Sequence, residues 1–139
     1  MEESLQTKRR ASAQENKEFV RRYLEAISGK PKPESVVNLY VAEQPLKDHI
    51  AMGEAAFPLY IFEIEEMIAE GDLVSVRGRT QGTHKGPFMG IPPTGKSFDV
   101  PIFITYRVAG GKIVDHWMLM DNAAMMQQLG LVPAATETD

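Results

Sequence analysis

Gly82-Thr83-His84-Lys85-Gly86-Pro87-Phe88-Met89-Gly90-Ile91-Pro92-Pro93-Thr94-Gly95-Lys96 joins two strand-like runs, Leu73–Thr83 and Ser97–Val108. Four Gly and three Pro in fifteen residues make it too long and too specific for a plain hairpin turn. A Gly/Pro loop that begins on a histidine suits the rim of a pocket. It suits a purely structural loop equally well, so the chemistry has to be sought in the rest of the chain.

Working outward, the 139 residues predict one domain with a real core. Residues 1–14 and 133–139 read as flexible tails around a domain at 15–132. The apolar positions Phe19, Val20, Tyr23, Leu24 and Ile27 mark one face of a helix over Glu15–Ser28, stopped by Gly29 with Pro31 beyond. A shorter helix is expected over Glu34–Val41. Gln44–Met52 reads as a loop or short turn, and Gly53–Phe57 as a single helical turn ended by Pro58. Tyr60–Ala69 reads as a strand with Tyr60, Phe62, Ile64 and Ile68 on one side, followed by the Glu70-Gly71-Asp72 turn. Alternation in Phe98–Arg107 marks another strand, in which Pro101 implies an edge position or a bulge. Gly110-Gly111 turns the chain into a strand over Lys112–Met120. Asp121–Leu129 is a short helix closed by Gly130. Helices followed by antiparallel strands give an α+β architecture, a curved sheet wrapped around N-terminal helices with a cone-shaped cavity.

Composition removes several function classes. The net charge is −4 and no basic stripe is present, which argues against nucleic acid. With no cysteine there is no disulfide, thiolate metal site or Cys nucleophile. Three His without tight spacing make no metal set. No apolar run approaches the ~18 residues of a membrane helix, and the polar N-terminus lacks a signal core. A cytoplasmic protein is expected.

The pattern Gly82-Thr83-His84-x-Gly86-x-Phe88-x-Gly90-x-Pro92-Pro93-Thr94-Gly95-Lys96, then Gly111-Lys112-Ile113-Val114-x-His116-Trp117, Asp121 and Gln128-Leu129-Gly130, resembles the SnoaL-like polyketide cyclases. These belong to the nuclear-transport-factor-2-like, or cystatin-like, superfamily. The resemblance covers residues 15–131. It implies a cone-shaped α+β barrel and intramolecular aldol closure of a polyketide-like ligand without metal or cofactor. It matches Asp121 to the family's acid/base and places His84 and His49 near the pocket. The segment around Gly53–Pro58 is shorter than the family's helix there, which predicts a more open mouth.

The residues allow more than one role each. On strand parity Asp121 shares a face with Ile113, Asp115, Trp117 and Leu119, and an apolar wall beside a carboxylate raises its basicity. Asp121 also directly precedes a helix and suits an N-cap. His84 suits a donor to a substrate carbonyl, or a hydrogen bond within its own loop. Phe88, Phe103, Trp117 and Leu119 are expected to wall the pocket, with His49 as a further contact. His116 falls on the opposite face and is expected to meet a helix, a partner subunit or solvent. Met118, Met120, Met125 and Met126 read as adaptable core packing. Two further readings stand beside the cyclase: a non-catalytic small-ligand module, and a hydrolase or isomerase using the same carboxylate. Apolar residues on both faces of the last two strands predict a homodimer.

Overall fold

A computed structural model describes residues 11–131. The terminal tails expected at 1–14 and 133–139 lie largely outside those residues. Helix α1 spans Ala13–Ile27, α2 Glu34–Tyr40 and α3 Gln44–Ala56. Strands β1 (Ile61–Glu70), β2 (Leu73–Thr83), β3 (Ser97–Ala109) and β4 (Lys112–Met120) follow, then α4 (Asn122–Gln128). The strands form one antiparallel sheet in the order β1-β2-β3-β4. This is the expected α+β architecture.

Helix α1 starts earlier than its apolar face implies. Ser12 and Glu15 form a capping box, Ser12 Oγ accepting from Glu15 N at 3.0 Å and Glu15 Oε1 accepting from Ser12 N at 2.8 Å. Val20, Tyr23, Leu24 and Ile27 then bury against the sheet.

The segment read as a loop and one turn is the full helix α3. Pro45 sits in its first turn, where a missing N–H is harmless. Leu46, His49, Ile50 and Gly53 share one face at helical spacing, and all four line the cavity described below. A polar histidine and a glycine interrupt that stripe, which hides the period from a purely apolar reading. The place of the family's helix is therefore filled.

Strand β1 changes face at a bulge between Ile64 and Glu66. Phe62 and Ile64 pack inward, and beyond the bulge Met67 and Ala69 do so while Ile68 is exposed. Gly78 lies opposite Ile64. A Cβ there would run into the Glu63 carbonyl and the Phe62 ring, so only glycine lets β1 fold this closely over β2. Pro101 is on β3, an inner strand rather than an edge one. It is tolerated because β4 pairs with β3 only from Ile102 onward, which leaves that stretch of β3 locally unpartnered.

Two apolar clusters result. One joins α1, α2 and the start of α3 to the sheet through Tyr23, Leu24, Val37, Leu46, Val76, Ile104 and Ile113. The other joins the end of α3, the Gly/Pro loop and α4 through Phe57, Phe88, Phe98, Met125 and Leu129. One buried ion pair fastens the roof of the fold. The side chain of Lys32 is wholly buried, and its ammonium donates to Glu54 Oε1 at 2.7 Å and to the carbonyls of Lys30 and Tyr60. It also sits 4.1 Å from the centre of the Tyr60 ring. Burial lowers the Lys32 pKa, and Glu54 works against that shift. Removing the carboxylate in Glu54→Ala leaves this ammonium buried without its counter-charge. A loss of about 3–5 kcal/mol is expected, read as an earlier denaturant midpoint at unchanged slope.

Candidate active site

Between the two clusters lies a cavity of about 470 Å³. Its walls come from α1, α3, the inner face of the sheet, the Gly/Pro loop and α4. Among the described residues no Asp, Glu, Lys or Arg lines it. The polar side chains in its wall are Tyr23, His49, Tyr60, Thr80, Tyr106 and Asn122. Six methionines complete the apolar lining: Met52, Met89, Met118, Met120, Met125 and Met126. The methionines of β4 and α4 thus face open space as well as core.

His49 is the imidazole in the cavity wall. Burial, and then the charge of nearby His116, push its pKa below the ordinary value of 6.5. It is therefore a free imidazole at pH 7, able to accept a proton. His116 meets a helix start: its Nδ1 lies 2.7 Å from Oε1 of Glu43, the residue that precedes α3. A carboxylate can only accept, so Nδ1 of His116 carries a proton and donates it. Burial raises the pKa of Tyr23, Tyr60 and Tyr106, keeping all three as neutral phenols and hydrogen-bond donors.

The residues expected at the site separate into three groups. His49 and Phe88 line the cavity. Phe103, Trp117 and Leu119 do not; they are exposed on the outer face of the sheet. Plain alternation on β3 puts Phe103 on the face opposite the buried Ile102 and Ile104, and on β4 a bulge intervenes, where Arg107 opposes Asp115 but Val108 opposes Ile113. Ile113 consequently packs inward with His116, Met118 and Met120, while Val114, Trp117 and Leu119 face out.

Asp121 follows the outward-facing residues. Its side chain is exposed, and its Oδ1 accepts from Ala124 N at 3.0 Å as the cap of α4. Its neighbour Asn122 lines the cavity instead. The sequence reading assigned that position no role, and inner-face alternation through Met118 and Met120 is the signal that points to it.

His84 is fully buried behind Phe57 and Phe88, with 0% exposure, and does not line the cavity. Its Nδ1 accepts from Thr94 N at 3.2 Å, which leaves the ring proton on Nε2, where it has no partner. Its backbone bonds the loop twice, His84 N to Lys96 O and Gly95 N to His84 O. In this arrangement it fastens the two ends of the Gly/Pro loop. Among the described residues no cluster of three or more His, Cys, Asp or Glu could hold a metal ion, and no helix is long and apolar enough to cross a membrane.

Residues 38–129 match the profile of the SnoaL-like polyketide cyclases. The chain belongs to this family. No curated protein matches it. Solved structures carry the same fold. AclR of Streptomyces galilaeus, a candidate hydroxylase, is 24% identical with a TM-score of 0.76, over 91% of this chain and 88% of its own. IdmH of Streptomyces antibioticus, a candidate polyketide cyclase, is 25% identical with a TM-score of 0.69, over 83% and 98%. A protein of Catenulispora acidiphila with a ketosteroid isomerase-like fold, in complex with trimethylamine, is 19% identical with a TM-score of 0.66, over 83% and 94%. The fold is thus shared with these structures at low identity.

The Gly/Pro loop is held to α3 through Lys85 N and Gly86 N, which both donate to Ala56 O. A Cβ at Gly86 would collide with the Ala55 carbonyl. Gly86→Ala should therefore push the loop off the helix and lower stability by about 1–3 kcal/mol, seen as a lower melting temperature.

Proposed function

We propose that the protein is a small-molecule enzyme carrying out cofactor-free acid/base chemistry on an uncharged, ring-rich compound of polyketide type, such as intramolecular aldol closure. The observation that carries this reading is a cavity of about 470 Å³ with a free imidazole in its wall and, among the described residues, no charged side chain. Such a cavity matches a neutral ligand, because an ionic one would be desolvated without a partner. In an aldol closure, a proton leaves the carbon between two carbonyls and the new alkoxide takes one back. His49 can take the first proton as imidazole and return it as imidazolium. The neutral phenols and the Thr80 hydroxyl supply donors for the enolate oxygen that develops between these steps. No electron is transferred and no atom is lost, so the ligand is isomerised.

A second reading gives proton transfer to Asp121. Family resemblance supports it, and so does the position of Asp121 beside the cavity-lining Asn122. In the structure, however, the carboxylate is exposed and engaged as a cap.

His49→Gln and Asp121→Asn separate the two, since Asn preserves the cap. With a 1,3-dicarbonyl polyketide analogue as substrate, His49→Gln should lose about 10²–10⁴ in rate. Asp121→Asn should keep more than about a tenth, a change of ~1.4 kcal/mol in barrier. The reverse result assigns the base to Asp121. A wild-type protein that binds such compounds without turning them over supports the non-catalytic module. Because the His49 pKa is lowered, the acid limb of the rate profile should fall below pH 6.5. The fold should also lose stability as pH drops from 6.5 through the lowered value, since the unfolded chain binds that proton more readily. His49→Gln should remove that part of the loss.

The protein is further proposed to work as a homodimer. Phe103 pairs with Leu119 and Thr105 with Trp117 across the exposed sheet face, which leaves three large apolar side chains adjacent in solvent. Arg107 lies 5.7 Å from the Trp117 ring, and its ion pair with Asp72 belongs to a charged rim. A second copy of the same face would cover this patch. Sedimentation equilibrium at micromolar concentration should give twice the chain mass, and Leu119→Lys should shift the protein to monomer. Monomer alone for the unaltered chain would overturn the dimer.

A further inference from the structure

Within the Gly/Pro loop, Phe88 N donates to Ile91 O at 2.9 Å and Ile91 N to Phe88 O at 2.8 Å. The exchange closes a two-residue turn on Met89 and Gly90. Their φ values are 51° and 80°, so both central residues are left-handed, as a type I′ turn requires. Glycine adopts that conformation freely, and Asn or Asp adopt it with little strain. Methionine has no such freedom. Among the described residues only Leu59 is another non-glycine with positive φ.

The side chain at this strained position is also badly placed for folding. Met89 is 77% exposed, although Phe88 beside it is buried in the second cluster. Met89 nevertheless lines the cavity, so it stands at the mouth. Met52 of α3 is the other strongly exposed methionine of the lining, at 47%. Local strain and an apolar side chain in water both oppose stability, and neither contributes to the core. Strain that the fold does not need concentrates where a ligand is handled.

We infer that Met89 is a specificity-determining residue whose side chain closes over the outer end of a flat, uncharged aromatic ligand held in the cavity. The inference rests on the preceding reading of the cavity as a ligand site. A long, unbranched, polarisable side chain follows the outline of different rings and makes favourable sulfur–aromatic contacts. The uncharged lining selects against carboxylates and ammonium groups, and the methionine at the mouth selects for a planar face.

The test compares wild type, Met89→Asn and Met89→Leu for thermal stability and for binding of 1-aminoanthracene, a neutral three-ring fluorophore. Asn followed by Gly90 is a preferred type I′ pair, so Met89→Asn should melt about 2–6 °C higher. It should also bind the fluorophore about 3–10-fold more weakly, the size of a lost sulfur–aromatic contact. Met89→Leu keeps the strain and the apolar reach but lacks the sulfur, so it should melt near wild type and bind between wild type and Met89→Asn. A stabilised variant with weaker binding is not what a merely structural turn residue gives. Met89→Asn binding as tightly as wild type, or melting below it, overturns the inference. Wild-type protein that fails to take up the fluorophore overturns the ligand-cavity reading itself, and this inference with it.

Discussion

A missing side chain at Gly78 is the constraint on which the cavity depends. Because no Cβ stands there, the Glu63 carbonyl and the Phe62 ring lie directly over β2. The bulge after Ile64 adds a residue at the same place and bends β1 further. A flatter sheet would let α1 and α3 settle against it along their whole length, and the two apolar clusters would merge into one filled core. Curvature keeps them apart, and the gap between them is the site.

The chemistry of that gap is set by what surrounds it. Among the described residues no charged side chain lines it, and the outer sheet face carries ion pairs instead, Arg79 with Asp99 and Arg107 with Asp72. Inside, burial acts on whatever can titrate. It keeps three phenols protonated and His49 unprotonated, so the cavity holds donors and one acceptor base without net charge. Such a wall discriminates among ligands by shape and by hydrogen bonding more than by charge.

Much of the fold was legible because period and punctuation agreed. Leu73–Thr83 alternates cleanly, Lys112–Met120 is bracketed by turn signals, and both strands have the expected bounds. Helix α3 was missed because its inward stripe runs through His49 and Gly53, neither of which registers as apolar. The site was less legible, and irregular strand pairing is one physical cause. Side-chain parity fixes a face only while the ladder is regular, and bulges reverse it without changing composition. Hence Ile68 emerged outside, and Ile113 came to share the inside with Met118. Trp117, Leu119 and Phe103 did form one surface, but it was the outer one. At Asp121 and His84 both available roles were visible in the sequence, and only three-dimensional position could weigh them.

The two ends of α3 are tied in unlike ways, and together they make the helix a fixed beam. At its start Glu43 grips His116 of β4, and near its end Glu54 holds Lys32 and accepts from the Leu59 backbone. A beam pinned at both ends does not swing. Passage through the mouth would then call on the opposite bank, through motions of methionine side chains and of the two-residue turn. Such motions belong to the picosecond-to-microsecond range of side chains and loops. A ligand that leaves by this route would be released faster than any path requiring a helix to lift.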